Sequence, residues 1–304
     1  MTLAEKFGGM EVHKAARAIG ITFAEDAVPA SKFVTANGMK LHYLDWGNHG
    51  KPKLLCLHGG AQTAHSWDFF ALGMRDQFHI VALDQRGHGD SDWSQEGDYS
   101  LESHVKDIDA FTDAIGFKQF VLVGLSMGGR NSYGFTHRHQ GKVSKLIICD
   151  IGPETNKAGT QRIGEFLQDT EVFESFDWLV KRVQQYNPHR EEKQIRGSLL
   201  NNLKQLPDGR WTWKYDRRRG LRQRGGGEIT VNLWNELKSI TCPTLLVRGG
   251  ESDILTPETA KKVAATIPNC KLVEVPNAGH LVQGDNPVGF EKAVRKFLGA
   301  PAKK

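Results

Sequence analysis

The chain has 304 residues, of which 39% are hydrophobic and 25% charged, and a formal net charge of +5. That length can bury a sizeable core, and the composition is ordinary for a soluble globular protein. No apolar run approaches the roughly 20 residues that cross a bilayer. The four cysteines (Cys56, Cys149, Cys242 and Cys270) lie far apart with no C-x-x-C pair, so a reduced, cytoplasmic protein without a structural metal is expected.

Residues 1–30 read as an arm. Glu5, Lys6, Glu11, His13 and Lys14 interrupt any secretory apolar stretch. Met1 to Gly20 has the pattern of a short amphipathic helix and Ala24 to Ser31 that of a linker, together a packing or homodimer element. Lys32 to Ala36 and Met39 to Trp46 read as strands joined by Asn37-Gly38, a hairpin signal. Lys53 to Leu57 is a buried strand that runs into His58-Gly59-Gly60. A helix over Ser66 to Gln77 and a strand over His79 to Leu83 follow, then the polar run Asp84 to Asp92. Ser100 is placed to cap a helix whose body is Ser103 to Ile115.

Phe120 to Val123 is the next apolar strand. Gly124, Ser126, Gly128 and Gly129 follow it at once, and Arg130 to Gln140 has helical character. A strand that turns sharply into a helix around one Ser is the setting in which G-x-S-x-G acts as a nucleophile elbow. The turn would raise the Ser126 oxygen at the carboxyl edge of the sheet, where backbone N–H groups can meet developing negative charge. Lys145 to Ile151 is a further strand. Strands alternating with helices argue for a mostly parallel sheet with helices on both faces.

The alternation breaks over residues 152–227. Phe173, Phe176, Leu179, Val180 and Val183 mark one amphipathic helix, and Ile195, Leu199, Leu200, Leu203 and Leu206 another. No strand is expected there, and the segment reads as a helical cap over the carboxyl edge. Trp178, Trp211 and Trp213 are candidate linings of a substrate pocket beneath it, or else cap core. Arg210, Lys214, Arg217, Arg218, Arg219, Arg222 and Arg224 crowd its end. A solvated face or salt-bridge network explains that block, or attraction of an anionic substrate; no nucleic-acid motif accompanies it. The core resumes over residues 228–304, with strands at Pro243 to Val247 and Lys271 to Val275 and helices at Pro257 to Ile267 and Asn286 to Leu298.

A Ser nucleophile needs a base and a group that orients the base. Asn277-Ala278-Gly279-His280 follows the last strand, and its small residues let a loop fold over the elbow, so His280 is the expected base. The acid should follow a strand between Ser and His. Asp253 is favoured because it lies in a polar turn, with Asp150 the alternative and Glu251 a third choice. Gly60, or Ala61, and Met127 are the expected oxyanion N–H donors, and His58 is expected to be structural.

These motifs, in this order across residues 32 to 300, resemble the α/β-hydrolase superfamily, in its capped esterase, epoxide-hydrolase and C–C-hydrolase-like branch. The resemblance rests on Leu57-His58-Gly59-Gly60, Asp84 to Asp92, Gly124-Leu125-Ser126-Met127-Gly128-Gly129, Gly250-Glu251-Ser252-Asp253 and Gly279-His280. It implies an eight-stranded, mostly parallel sheet, with residues 31–151 and 228–304 as core and 152–227 as a cap inserted after the sixth strand. It also implies that Asp84 to Asp92 shapes the loop beside the site and performs no catalytic step. Ser126 argues against the relatives that use an Asp nucleophile. Leu281 follows His280, where many C–C hydrolases of this branch carry Trp. The expected activity is hydrolysis of small carboxylic esters, with no metal or organic cofactor and no nucleic-acid or membrane partner. A C–C bond hydrolase and a small-molecule receptor on the same scaffold are the alternatives.

Overall fold

A computed structural model describes residues 7–169, 171–187, 190–218 and 232–301. Eight strands form the central sheet: β1 (Ala30–Ala36), β2 (Met39–Asp45), β3 (Lys53–Leu57), β4 (His79–Leu83), β5 (Phe120–Leu125), β6 (Val143–Cys149), β10 (Thr244–Gly249) and β11 (Cys270–Val275). Their spatial order is β1-β2-β4-β3-β5-β6-β10-β11. Only β2 runs against its neighbours; the other six strands from β4 to β11 are parallel. Asn37 and Gly38, both at positive φ (49° and 73°), make the two-residue hairpin between β1 and β2.

The apolar runs are continuous because both faces of the sheet are covered. Phe120 and Leu122 of β5 enter one core cluster, with Leu146 and Ile148 of β6 and Leu246 of β10. Val121, Val123 and Leu125 enter the opposite one, with Ile147, Cys149, Leu245 and Val247. Each such fully buried side chain contributes on the order of 1.5–3 kcal/mol of transfer free energy. Helices α2 (Asp68–Met74), α3 (Leu101–Ala114), α4 (Met127–Arg138), α8 (Leu233–Ser239), α9 (Pro257–Thr266), α10 (Val282–Asp285) and α11 (Pro287–Leu298) cover these faces. Ser100 caps α3 by accepting the Ser103 N–H at 3.2 Å. The helix expected over Ser66 to Gln77 begins instead as a 3₁₀ turn, Ala64–Trp67, and ends at Met74.

In the arm, helix α1 spans only Val12–Ala18, with Ala15 and Ala16 buried. The inserted segment holds α5 (Lys157–Asp169), α6 (Phe176–Tyr186) and α7 (Glu192–Asn202). It also holds strands the sequence did not suggest: β7 (Val172–Phe173), β8 (Leu203–Gln205) and β9 (Trp211–Trp213), an antiparallel sheet in the order β7-β9-β8. Leu203, expected on a helix, opens β8. Trp211 and Trp213 flank half-buried Thr212 with the period of two that marks a strand with one buried face. Three residues are too few for that period to stand out from a helical apolar pattern. Among the described residues no helix is long and apolar enough to cross a membrane.

The strand order fixes where a site can form. Strand β3 sits between β4 and β5, so the chain leaves it toward one side and returns on the other. Loops diverge at such a switch point and leave a crevice at the carboxyl ends of the strands. The β3 loop and the β5–α4 turn border that crevice. A Cβ on Gly124 would stand 2.2 Å from the Ser132 Oγ and 2.3 Å from the Gly128 carbonyl oxygen, and one on Gly128 would stand 2.2 Å from the Leu57 carbonyl oxygen. Because the obstacles include backbone atoms that cannot swing aside, Gly124→Ala is expected to lower stability by about 1–3 kcal/mol. The urea midpoint should fall with m unchanged. Gly141→Ala, with nothing within 4 Å of its Cβ, should shift it by less than about 0.5 kcal/mol.

Candidate active site

Ser126 has φ 52° and ψ −114°, a conformation that costs a non-Gly residue on the order of 1–3 kcal/mol. The flanking structure holds it. The Ser126 N–H donates to the Cys149 carbonyl at 3.0 Å, and the Ser126 carbonyl accepts the Arg130 N–H at 2.9 Å as α4 begins. Met127 is the first residue of α4, and Gly60 and Ala61 border the same cavity as Ser126.

His280 lies in the loop after β11 and borders that cavity too. The approach of this loop depends on Gly249, where a Cβ would stand 2.1 Å from the Gly279 carbonyl oxygen and 2.6 Å from that of Ala278. The Glu251 N–H donates to the Ala278 carbonyl at 2.9 Å. The Gly279 N–H donates to Asp285 Oδ2 at 3.1 Å, which ties the loop to α10.

The structure places Asp150, not Asp253, on His280. Asp150 Oδ2 lies 2.7 Å from His280 Nδ1, and Asp150 is wholly buried. Its Oδ1 accepts the Gly249 N–H at 3.0 Å, and its Oδ2 also accepts the Ser252 hydroxyl. Asp253 pairs instead with Arg162 of the cap at 2.8 Å. The expectation of Asp253 as the orienting acid is therefore corrected. β6 and β10 are parallel neighbours, so both carboxylates follow strands at one edge, and local sequence does not separate them. Asp150 adopts φ 51°, which Asp tolerates better than most residues. The favoured turn, 249–253, supplies donors to the acid and not the acid itself.

His58 is a scaffold residue. Its Nε2 accepts the Gln85 N–H at 3.0 Å, while the Gln85 side chain donates to the His58 carbonyl at 2.7 Å and accepts from Asn131 of α4 at 2.7 Å. Asp84 is likewise enclosed, accepting from His42 Nδ1 at 2.7 Å, Ala64 N–H at 2.6 Å and Asp90 N–H at 3.0 Å. Burial, the largest influence, pushes its acidity down, but the hydrogen bonds from His42 and the Asp90 N–H outweigh it and leave the carboxyl below its ordinary range.

The run from Asp84 to Asp92 also carries the cap. The Gly89 N–H donates to the Lys214 carbonyl and the Asp216 N–H to the Gly87 carbonyl, both at 2.7 Å. The Tyr99 hydroxyl donates to Asp216; burial and that carboxylate push the phenol up to about 12.

Between cap and sheet edge lies a cavity of about 800 Å³. Ser126 and His280 form its floor, with Ile163, Phe166, Leu167, Val183, Leu199 and Trp213 among its walls. Of the three tryptophans expected there, only Trp213 borders it. Trp211 is buried in the cap core, and Trp178 is 46% exposed and stacks on Phe173. Each arginine on the wall faces an acid: Arg162 with Asp253, Arg190 with Asp285, Arg217 with Glu171. Arg218 pairs with Asp216 at 2.7 Å. Arg219, Arg222 and Arg224 lie outside the described residues.

Sequence reasoning did not anticipate Asp285, Asn187 or Arg190. The first, nearly buried, joins the His280 loop to the cap through Asn187 Nδ2 at 2.7 Å and Arg190 Nε at 3.2 Å. The only local signal is a carboxylate one turn beyond His280.

Residues 52–287 match the family model described as alpha/beta hydrolase fold. The chain is 28% identical over 262 residues to Esterase Rv0045c of Mycobacterium tuberculosis, covering 84% of this chain and 85% of that protein. It is 26% identical over 276 residues to a 3-hydroxybutyrate-oligomer hydrolase of Cupriavidus necator, covering 86% and 94%. The crystal structure of the mycobacterial esterase aligns with a TM-score of 0.78 at 27% identity, over 95% of this chain and 96% of that one.

Asp150→Asn keeps the shape of the site but offers His280 Nδ1 the wrong hydrogen-bond partner. It is expected to lower kcat for a p-nitrophenyl ester by roughly 10³–10⁴-fold, by the logic of a buried triad acid. Asp253→Asn, which breaks only a partly exposed pair, should change kcat by less than about fivefold.

Proposed function

Because the chain belongs to the α/β-hydrolase family, we propose that it hydrolyses carboxylic esters of small molecules through an acyl-enzyme on Ser126. The observation that carries this reading is the Asp150–His280 hydrogen bond, with His280 bordering the same cavity as a positive-φ Ser at a strand-to-helix turn. The names of the mycobacterial esterase and the oligomer hydrolase support ester chemistry.

In this mechanism Ser126 Oγ attacks the ester carbonyl while His280 Nε2 takes its proton. Asp150 holds the other ring nitrogen, so the tautomer is set and the imidazolium is stabilised. Charge that develops on the carbonyl oxygen is met by the N–H groups of Gly60 and Met127. The intermediate collapses with loss of the alcohol, which His280 protonates. A water, deprotonated by His280, then releases the acid and restores Ser126. Every step uses protein groups and water, so the proposal requires no cofactor.

The cavity argues for an uncharged substrate with an apolar part. Ile163, Phe166, Leu167, Val183, Leu199 and Trp213 give it an apolar wall beside polar side chains such as Gln62, Gln168 and Asn202, and the described arginines on it each face a carboxylate.

A fluorophosphonate probe followed by peptide mapping is expected to label Ser126, with labelling lost in His280→Ala. Label on a different residue, or none, would remove the proposal and leave the receptor alternative ahead. Charge removal at Arg217 and Arg218 should alter the ratio of kcat/KM for neutral and anionic esters by less than about fivefold, the weight of an exposed ion pair. A larger loss for the anionic ester would restore the basic block as a specificity element.

A further inference from the structure

Two groups of side chains away from Ser126 have the donor types of a metal site: His42, Asp84 and Asp90, and Asp45, His49 and His79. The first is already occupied by protein. Asp84 is saturated by His42 and two backbone N–H groups, and Asp90 pairs with Lys214 at 2.9 Å. In the second, Asp45 is likewise paired, with Lys32 on Oδ2 and the Gly47 N–H and His79 on Oδ1, but one imidazole is left over.

Asp45 ends β2 and His79 begins β4, which runs antiparallel to it. Both are buried. Asp45 Oδ1 and His79 Nε2 stand 2.9 Å apart. His49, on the exposed loop between β2 and β3, lays its ring edge-on to that of His79, with centroids 4.5 Å apart and planes at 83°. One donor atom from each of the three residues falls within 4.8 Å of the other two. His49 has no hydrogen-bond or ion-pair partner among the described residues, so none of them uses the lone pair of its imidazole.

We propose that Asp45, His49 and His79 form a binding site for a borderline divalent cation of the zinc, cobalt or nickel class. Two imidazoles and one carboxylate match the preferences of these ions, whereas calcium and magnesium favour oxygen donors. Three protein ligands leave one tetrahedral position for water. Donor separations up to 4.8 Å exceed the roughly 3.4 Å edge implied by zinc–ligand bonds of about 2.0–2.1 Å. His49, the exposed one, has room to close that gap, while the buried pair exchanges its mutual hydrogen bond for bonds to the ion, the ring proton leaving His79 Nε2. Lys32 holds Asp45 Oδ2 at 2.6 Å and so keeps Oδ1 directed inward, as outer hydrogen bonds do for metal-bound carboxylates.

The site lies at the amino-terminal edge of β4, opposite the edge that carries Ser126, so the expected role is structural. The metal would pin the 46–52 loop to the sheet and leave ester turnover unchanged.

Untagged full-length protein should be titrated with Zn²⁺ by calorimetry and with Co²⁺ by visible absorption. One equivalent is expected to bind with intense, tetrahedral-type Co²⁺ bands, and saturating Zn²⁺ should raise Tm. His49→Ala, at an exposed position that folding does not need, should weaken binding at least tenfold and abolish both the bands and the Tm shift. His139→Ala, a histidine elsewhere on the surface, should change neither. Binding by His49→Ala within about threefold of wild type, or no binding by wild type at millimolar Zn²⁺, would overturn the proposal.

Discussion

A carboxylate with no solvent contact has to be surrounded by donors, and the active-site end of this molecule is arranged around that requirement at Asp150. An isolated buried carboxylate costs far more than the fold's net stability, so it persists only when hydrogen-bonded and paired. Three donors from two stretches converge on it: the Gly249 N–H and the Ser252 hydroxyl from one turn, and His280 Nδ1 from the loop after β11. Ser252 also accepts the Ile254 and Leu255 N–H groups at 3.1 and 3.2 Å, so the turn after β10 and the acid's shell are one structure. Removal of any donor leaves the others around an under-satisfied charge, which couples the order of the His280 loop to that of β6 and β10.

The same logic explains how the cap is held. Its polar attachments fall on groups that are themselves committed to the core. Asp285 receives the Gly279 N–H on one oxygen and Asn187 and Arg190 of the cap on the other. Thr63 donates to Asn202 at 3.0 Å, and the 87–90 loop hydrogen-bonds the strand extension after β9. The N-terminal arm adds a fourth attachment. Phe7 packs between Phe176 and Trp211, with centroids 5.3 and 5.4 Å away, while Ala16 of α1 is buried in the core beneath. Ring pairs of this kind contribute about 0.5–1.5 kcal/mol beyond their burial. The arm thus bridges cap and core within one chain.

What was legible in the sequence tracks the range of the forces involved. The hairpin at Asn37-Gly38, the cap at Ser100 and the apolar runs of β3, β5 and β6 are set by local chemistry and two-sided burial, and each stands where the pattern places it. Ser126 and His280 were legible because glycines at the elbow and small residues before His280 mark close backbone approach. Asp150 against Asp253 was not, because the choice rests on the pairing of β6 with β10 and on a positive φ, neither of which has a local signature. The short strands β7, β8 and β9 escaped for a similar reason: two or three residues carry too little periodicity, and tertiary pairing decides them. Asp45, His49 and His79 come together only because β2 runs against β4.

Placing the acid after β6 has a consequence for the cavity above it. Were Asp253 the partner of His280, Arg162 would face the substrate space uncompensated, and the pocket would attract anions. With Asp150 on His280, Asp253 is free to neutralise Arg162, as Asp285 does Arg190. These pairs span cap and core, so a substrate that carried its own carboxylate would have to compete with one of them and loosen the cap in doing so. An uncharged ester meets no such competition and fills a wall of Phe166, Leu167 and Trp213 by burial alone. The position of one buried carboxylate in the sheet therefore bears on both the proton transfer at Ser126 and the charge of the molecule that can reach it.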